Sequence, residues 1–319
     1  MIVTLTANPS HDRTVILTGP LERGAVQRAE SVIAQAGGKG VNISRACVAA
    51  DLPSIAVLPA AKDDPFVLEL LAAGIDCRTV EPDGDLRVNI TITEPDGTTT
   101  KLNSPGPQST GRLLKELEET LVRRAAGADW IVLAGSLPPG TPDEWYAELV
   151  TALRGSAARV AVDTSDAPLK ALVDALSDGP AGAPDLMKPN GEELASFTDH
   201  RADELEADPL AAARAARDLI GRGVGSVLVT LGAHGAVLVS REGAWHATPP
   251  PTTVVSTVGA GDSSLFGYLL GDVTGRDPGQ RLALAVAYGS AAAGLPGTTI
   301  PHPRQVQTDR VHVAALDLR

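Results

Sequence analysis

A glycine-rich segment late in the chain contains the first residues that could do chemistry. Thr257-Val258-Gly259-Ala260-Gly261-Asp262-Ser263-Ser264 runs directly into the largely apolar residues 265–270. Its glycines permit a tight turn with consecutive exposed N–H groups, and the apolar run predicts a helix from about Gly261. Such a helix start would bind an anion, and a carboxylate in its first turn would stay ionised beside that anion. Asp262 is therefore a candidate general base, although Asp is also a favoured N-cap residue.

Alternating strand and helix patterns must position this segment. Apolar and β-branched runs predict strands, whereas apolar residues at helical spacing predict helices between them. The strands are predicted at 2–6, 55–59, 130–134, 160–163, 186–188 and 227–231, followed by a short hairpin over 236–246. The helices are predicted at 41–50, 65–73, 111–126, 142–153, 168–176 and 210–222, and after Gly261 and Pro278. Repeated βα units favour a mostly parallel central sheet covered by helices.

Two strand-rich insertions interrupt this alternation, at about residues 12–36 and 86–103. Within the second, residues 87–93 and 98–102 flank the turn Glu94-Pro95-Asp96-Gly97 and predict a hairpin. Neither insertion has enough apolar residues for a core of its own. We therefore predict that they form one small sheet lying over the main domain as a lid.

Composition excludes several classes of protein. The chain has 319 residues, of which 43% are hydrophobic, so it can bury a full core. A formal charge of -12 disfavours binding to nucleic acid or to an anionic membrane. The two cysteines, Cys47 and Cys77, predict neither a disulfide framework nor a zinc site. With no long apolar window and no basic leader, we expect a cytoplasmic protein that holds anionic ligands with a few local cations.

The glycine-rich segments do not match the standard nucleotide-binding motifs. Gly37-Gly38-Lys39-Gly40 lacks the spacing and the Ser or Thr of a Walker A loop. Residues 259–264 lack the third glycine of a dinucleotide fingerprint and occur late in the chain. An NAD-dependent dehydrogenase is therefore disfavoured.

Five motifs that occur in one order nevertheless resemble the PfkB-type (ribokinase-like) sugar kinases, in their hexose-phosphate kinase branch. The motifs are 37–42, 134–140, Lys188-Pro189-Asn190-x-x-Glu193, Thr230-Leu231-Gly232 with Gly235-Ala236, and 257–263. Residues 8–14 are also similar to the start of these enzymes, and the resemblance extends to about Thr299. It implies an α/β fold, namely one ribokinase-like three-layer α/β/α domain over residues 1–319 with a β-sheet lid.

The resemblance also implies roles at the reacting end. Asp262 would deprotonate the acceptor hydroxyl, and the N–H groups of Gly259, Ala260 and Gly261 would stabilise the transferring phosphoryl group. ATP would contact Thr230, Gly232, Ala233, Gly235, Lys188, Asn190 and Glu193. Asn190 and Glu193 would further organise Mg²⁺ through its water shell. From their types and spacing alone, these two residues favour a helix capping box, a role that can coexist with the magnesium site, and the glycines after Thr230 also fit a plain turn.

The sugar phosphate would bind at the other end of the site. By resemblance, Asp12 would contact sugar hydroxyls, and the remaining candidates are Gly38, Lys39, Asn42, Arg87, Asn89, Lys101 and Ser136. We expect Lys39 and Arg87 to clamp a phosphate already present on the sugar. Arg87 and Lys101 also fit the alternative of solvated charges on an edge strand.

The implied reaction is phosphorylation of a ketohexose phosphate with ATP and Mg²⁺. Fructose 1-phosphate, giving fructose 1,6-bisphosphate, is the expected acceptor, with tagatose 6-phosphate and fructose 6-phosphate as alternatives. A non-catalytic sensor of sugar phosphate and nucleotide is an alternative of a different class, but it would need a damaged Asp262 or glycine loop. The expected partners are these small molecules, with neither nucleic acid nor membrane, and a homodimer through the lid is left open.

Overall fold

The computed structural model of the chain describes residues 1–179 and 182–319. Its strands are β1 (Ile2–Thr6), β2 (Ser10–Leu17), β3 (Ala29–Gly37), β4 (Ser54–Pro59), β5 (Asp76–Val80), β6 (Arg87–Thr93), β7 (Thr99–Leu102), β8 (Trp130–Ala134), β9 (Arg159–Asp163), β10 (Leu186–Met187), β11 (Ser226–Thr230), β12 (Ala236–Ser240), β13 (Gly243–Thr248) and β14 (His312–Leu316). Its helices are α1 (Lys39–Ala49), α2 (Pro65–Ala72), α3 (Gly111–Ala125), α4 (Trp145–Leu153), α5 (Asp166–Ala175), α6 (Gly191–Ala195), α7 (Ala202–Ala207), α8 (Pro209–Gly221), α9 (Ala260–Val273) and α10 (Pro278–Ala293).

A central sheet runs through the molecule. In the described part of the chain it has ten strands, in the order β14-β13-β12-β11-β10-β9-β8-β1-β4-β5. Neighbours from β5 to β11 pair in parallel, whereas β12, β13 and β14 pair antiparallel. The predicted mostly parallel sheet is thereby confirmed. Strands β5 and β14 were missed, because both mix polar with apolar residues at the edges of the sheet.

Helices cover both faces of this sheet. On one face Leu5 packs in a cluster with residues of α3, α4, α5 and α8, such as Leu117 and Leu219. On the other, Ile2 packs with residues of α1, α9 and α10, such as Leu269. The alternation of β1 side chains between two apolar layers is why its five residues are all buried. Among the residues described, no helix is both long and apolar enough to cross a membrane.

The two insertions form a separate four-stranded sheet, in the order β3-β2-β6-β7. Strand β2 pairs antiparallel with β3 and parallel with β6, which in turn pairs antiparallel with β7. This lid sheet confirms the prediction made from the insertions. Its registry places Asp12 between Gln35 and Asn89, so these three side chains share one face.

Helix α9 carries the glycine-rich segment. Gly259 is its N-cap residue, in a left-handed conformation with φ 79°, which favours glycine. The helix begins at Ala260, one residue from the predicted start. The alternative reading of Asp262 as the N-cap is wrong, because Asp262 lies inside the first turn.

A buried carboxylate fixes the far end of α9. Asp272 accepts hydrogen bonds from Trp130 Nε1 at 2.8 Å and from both terminal nitrogens of Arg159, and Arg281 Nη1 lies 3.0 Å from its Oδ1. These partners come from β8, β9 and α10. They compensate the buried charge of Asp272, whose side chain is only 1% exposed. These contacts therefore fix the position of the C-terminal end of α9 relative to the sheet.

Candidate active site

A cavity of about 530 Å³ lies between the lid sheet and the carboxyl ends of the parallel strands. Thr6 and Ala134 end β1 and β8 side by side, and Thr230 ends β11. Loops follow the strands at this edge, which is where open α/β sheets bind their ligands. The lining residues are Thr6, Asn8, Ser10, Asp12, Gly38, Lys39, Asn42, Arg87, Asn89, Asn103, Ala134, Gly135, Ser136, Ser165, Lys188, Asn190, Glu193, Thr230, Val258, Gly259, Gly261, Asp262 and Thr298.

Most of the residues singled out from the sequence meet in this cavity, although they are distant in the chain. Five of the candidates are not among its lining residues: Ala260, Gly232, Ala233, Gly235 and Lys101. Lys101 lies exposed on β7. Gly235 has a structural reason to be glycine, because a Cβ there would lie 1.9 Å from the carbonyl oxygen of Ala247.

Asp262 is buried, with 6% of its surface exposed, at the base of the cavity. Its Oδ2 accepts a hydrogen bond from Asn42 Nδ2 at 2.8 Å, which joins α9 to α1. Burial, reinforced by the charge of Asp163, raises the pKa of Asp262 to about 6 against the opposing pull of Lys39 and Lys188. The carboxyl is thus ionised at pH 7 but far more basic than an exposed aspartate.

Asp163 is a part of the site that sequence reasoning missed. It ends β9, beside Ala134 of β8, and its side chain is fully buried. Lys39 Nζ lies 2.8 Å from Oδ1, and Lys188 Nζ lies 3.3 Å from Oδ2. Burial opposes ionisation, but Lys188 and Lys39 outweigh it and lower the pKa of Asp163. The only sequence signal was its position at the end of a predicted parallel strand.

This pairing changes the interpretation of Lys39. Burial disfavours its charge, yet Asp163, followed by Asp262, more than compensates and raises the pKa of Lys39. The ammonium is therefore held at the base of the cavity, near the carboxylates. The expected clamp of Lys39 with Arg87 on one phosphate gains no support from this arrangement.

The lid side of the cavity holds a hydrogen-bonded group of polar side chains. Asp12 Oδ1 accepts from Ser10 Oγ at 2.7 Å and from Asn89 Nδ2 at 3.1 Å. Asn89 Oδ1 in turn accepts from the backbone N–H of Ser104 at 3.3 Å. Asp12 Oδ2 lies against Gly37, where an added Cβ would come within 2.0 Å of it.

Arg87 is the lid cation of the cavity. Its Nη1 donates to the carbonyl of Ser104 at 3.3 Å, and its buried Nε has no hydrogen-bond partner among the residues that the structure describes. Burial lowers the pKa of Arg87, with Asp12 acting in the opposite sense. A partly buried guanidinium that borders the cavity is suited to bind an anion.

Asn190 and Glu193 form a complete capping box at the start of α6. Asn190 Oδ1 accepts from the N–H of Glu193 at 2.7 Å, and Glu193 Oε2 accepts from the N–H of Asn190 at 2.9 Å. The structural reading of this motif is therefore confirmed. Among the described residues no hydrogen bond reaches Glu193 Oε1, and burial raises the pKa of the carboxyl against the charge of Lys188.

A directly coordinated metal has few candidate ligands here. Nowhere in residues 1–179 and 182–319 do three His, Cys, Asp or Glu side chains group as a metal site. Mg²⁺ commonly keeps several waters and uses one or two carboxylates. The unused Glu193 Oε1 beside the cavity fits that mode of binding.

The start of α9 supplies N–H groups to the cavity. As at any helix start, the first N–H groups lack intrahelical acceptors. That of Ala260 donates to the carbonyl of Thr257 at 3.3 Å, a long bond. Lys188 Nζ would lie 3.3 Å from a Cβ on Gly261, so an ammonium adjoins this helix terminus. Together the dipole and the cation favour an anion at this helix terminus.

A cavity beneath a lid sheet, with a buried carboxylate at a helix N-terminus, fits a kinase of small molecules, and comparison with known proteins agrees. Residues 6–305 match the model of the pfkB family of carbohydrate kinases, and the chain belongs to that family. The chain is 36% identical to a 1-phosphofructokinase of Rhodobacter capsulatus over 96% of this chain and 94% of that protein. A 1-phosphofructokinase of Haloferax volcanii is 35% identical over 100% and 99%.

A solved structure shares the whole fold. Escherichia coli phosphofructokinase-2, in complex with substrates and products, superposes with a TM-score of 0.85 at 30% identity. The superposition covers 96% of this chain and 97% of that one. The three-layer architecture and the lid sheet are thus those of the family, as the sequence motifs implied.

Proposed function

We propose that this protein transfers the γ-phosphoryl group of ATP to fructose 1-phosphate and forms fructose 1,6-bisphosphate. The observation that carries the proposal is Asp262, a buried carboxylate with a raised pKa, at the start of α9 and opposite the polar lid residues. The names of the relatives from Rhodobacter capsulatus and Haloferax volcanii support the choice of acceptor.

Asp262 acts as the general base. The acceptor hydroxyl gives its proton to the Asp262 carboxylate while its oxygen forms a bond to the γ-phosphorus, and the bond from that phosphorus to the oxygen of ADP breaks. Asn42 Nδ2 holds the carboxylate through Oδ2, which leaves Oδ1 for the proton. A pKa near 6 suits a base that must be ionised at neutral pH and still accept a proton.

The start of α9 stabilises the charge of the transferring group. The N–H groups of Gly259, Ala260 and Gly261 provide fixed dipoles, and Lys188 adds a cation beside Gly261. The donor phosphates would extend from there toward Thr230 and Glu193. When bound near Asn190 and Glu193, Mg²⁺ supplies charge neutralisation at those phosphates.

The lid positions the acceptor. Asp12 and Asn89 bind sugar hydroxyls, and Arg87, whose side chain borders the cavity, binds the phosphate already on the sugar. Gly38, Asn42 and Ser136 line the path between this end and Asp262. The binding energy of the phosphate therefore orients the opposite hydroxyl toward the base.

Coupled measurement of ADP release tests the proposal. The panel is fructose, fructose 1-phosphate, fructose 6-phosphate and tagatose 6-phosphate, each with ATP and Mg²⁺. We expect fructose 1-phosphate to give the highest kcat/KM. A higher value for either 6-phosphate would move the assignment to another branch of the family, and ligand binding without turnover on any sugar would favour the sensor.

The pH dependence of kcat follows from the pKa of Asp262. Only the ionised carboxylate takes the proton, so kcat falls about tenfold per pH unit below the pKa and levels off above it. The raised value places this midpoint near pH 6, about two units above that of an ordinary aspartate. Steady-state kinetics from pH 4.5 to 8 with saturating substrates checks the position. A midpoint near pH 4 would show that burial does not shift this group.

Glu193→Gln raises the Mg²⁺ concentration needed for half-maximal rate by about tenfold. Gln still completes the capping box, so the thermal midpoint stays close to that of the wild type. Glu192 lies on the same turn but is exposed, so Glu192→Gln is the matched control. Titration of kcat with Mg²⁺ for the three proteins decides the point, and equal curves would remove Glu193 from the metal site.

All 319 residues act as one kinase domain in this proposal, and two copies associate through the lid. The side of the lid sheet opposite Asp12 presents an apolar stripe, formed by Val15, Val32, Ile90, Ile92 and Leu102. Val32 and Leu102 are 58% and 55% exposed. A second copy of the same stripe would bury these side chains against each other.

Val32→Glu is expected to convert the dimer to a monomer at micromolar concentration, because a charge would be buried in the interface. Val26→Glu is the control, since Val26 lies fully exposed in the loop between β2 and β3. Light scattering after gel filtration gives the mass of each. A monomeric wild type would exclude the lid dimer.

A further inference from the structure

The proposed reaction leaves Asp163 without a role. It is the carboxylate at the end of β9, fully buried, with Lys39 on one oxygen and Lys188 on the other. The registry of the parallel strands brings Asp163 and Lys188 together. Asp163 pairs with Ala134, which pairs with Thr6, and Val162 pairs with Met187, so that the next residue, Lys188, lies beside Asp163. Lys39 arrives from the first turn of α1.

Stability alone is a weak reason for this arrangement. A buried carboxylate between two cations must recover a large desolvation cost, and apolar residues at such positions are often equally stable. Both lysines also border the cavity. One ammonium adjoins the helix terminus at Gly261, and the other lies close enough to Asp262 to act on its charge.

Asp262 is a competing carboxylate for these lysines, as is Glu193. Lys39 and Lys188 both already interact with Asp262 electrostatically, in addition to their contacts with Asp163. An ammonium that moved onto Asp262 would occupy the oxygen that has to take the proton, and it would make that carboxylate a weaker base. A further group must therefore hold Lys39 and Lys188 near Asp262 while preventing them from pairing with it.

We propose that Asp163 is a positioning residue for phosphoryl transfer, which holds Lys39 and Lys188 at the phosphoryl group and away from Asp262. The inference rests on the proposed function. It assigns Lys39 to the end of the cavity where the phosphoryl group is transferred. Recognition of the phosphate already on the sugar is then left to Arg87. Loss of Asp163 therefore acts on the chemical step more than on acceptor binding.

Asp163→Asn is the principal test, on the full-length protein with the best acceptor of the wild type. We expect kcat to fall by about 10²-fold while KM for the acceptor changes by less than about threefold. The midpoint of the kcat–pH profile should move below 6, because Asp163 raises the pKa of Asp262 and the released lysines lower it. A carboxylate that did not act on Asp262 would leave the midpoint near 6, and the fall in kcat at constant KM separates positioning from the loss of its charge.

Asp272→Asn is the matched control. Asp272 is also a buried carboxylate between two cations, but it lies at the opposite end of α9 from Asp262. The Asp272→Asn substitution should lower the thermal midpoint of unfolding without changing kcat per folded molecule or the midpoint of the kcat–pH profile. If Asp163→Asn behaves in the same way, the inference is overturned.

Asp163→Glu covers the case in which the Asn variant does not fold. It keeps the charge but displaces the lysines by one methylene group, so kcat should fall at least about tenfold with acceptor KM unchanged. Unchanged kcat in this variant would contradict the inference. The wild type separates the two hypotheses: if it turns over none of the sugars, the proposed function itself fails.

Discussion

Asp262→Asn lowers kcat by roughly 10³-fold, whatever acceptor is used, because a neutral amide cannot take the proton of the hydroxyl. The amide oxygen can still accept the hydrogen bond from Asn42, so the contact between α9 and α1 survives. The measurement is single-turnover and steady-state phosphoryl transfer with saturating ATP and sugar phosphate.

Stability separates this loss from misfolding. Burial raises the pKa of Asp262 in the folded protein from 3.8 to about 6, so the fold holds this proton more tightly than the unfolded chain does. Ionisation of Asp262 therefore lowers stability as pH rises across that interval, and Asn avoids this cost. We expect the variant to have a thermal midpoint at pH 7 no lower than that of the wild type. Near-normal kcat in a folded variant would exclude Asp262 as the base.

Arg87→Ala reduces kcat/KM for fructose 1-phosphate by roughly 10²-fold, because each charge-assisted bond to a phosphate contributes about 1.5–3 kcal/mol. Free fructose offers no phosphate to Arg87, so its kcat/KM should be nearly unchanged. The preference of the enzyme for the phosphorylated sugar should then largely disappear. Steady-state kinetics on the two sugars gives the ratio directly.

Lys101→Ala is the control for this result. Lys101 is a cation on β7, the strand next to β6, but it is exposed and is not among the lining residues. Its removal changes the net charge by the same amount and should change kcat/KM by less than about twofold. Equal effects of the two substitutions would mean that long-range attraction, rather than a bound phosphate, sets the preference.

Local patterns in the sequence were enough to predict the elements of this site. The glycines and apolar run around Asp262 predicted the start of α9 to within one residue, since turn and helix signals act over a few neighbours. The hairpin of β6 and β7 was predicted for the same reason, from alternation and a turn motif. The order of five motifs identified the family, which the match over residues 6–305 confirmed.

The sequence also offered two readings of some motifs without deciding between them. Asn190 and Glu193 have the spacing of both a capping box and a metal motif, and the structure confirms the cap while leaving one carboxylate oxygen unused. Asp262 had the type of an N-cap residue, yet Gly259 takes that position. Side-chain type and spacing define what a residue is able to do, and the local backbone decides which option it takes.

Only the tertiary structure decided what surrounds the charges. Lys39 and Asp163 are 124 residues apart in the chain, and Asn42 and Asp262 are 220 apart. Their contacts depend on the registry of parallel strands and on which helix packs beside which, and no local pattern specifies either. Burial of the same groups then sets their pKa values, because removal from water depends on the whole fold. The sequence determined the kinase family and singled out Asp262 as the candidate base, whereas the lysine pair around Asp163 and the raised pKa of Asp262 came from packing.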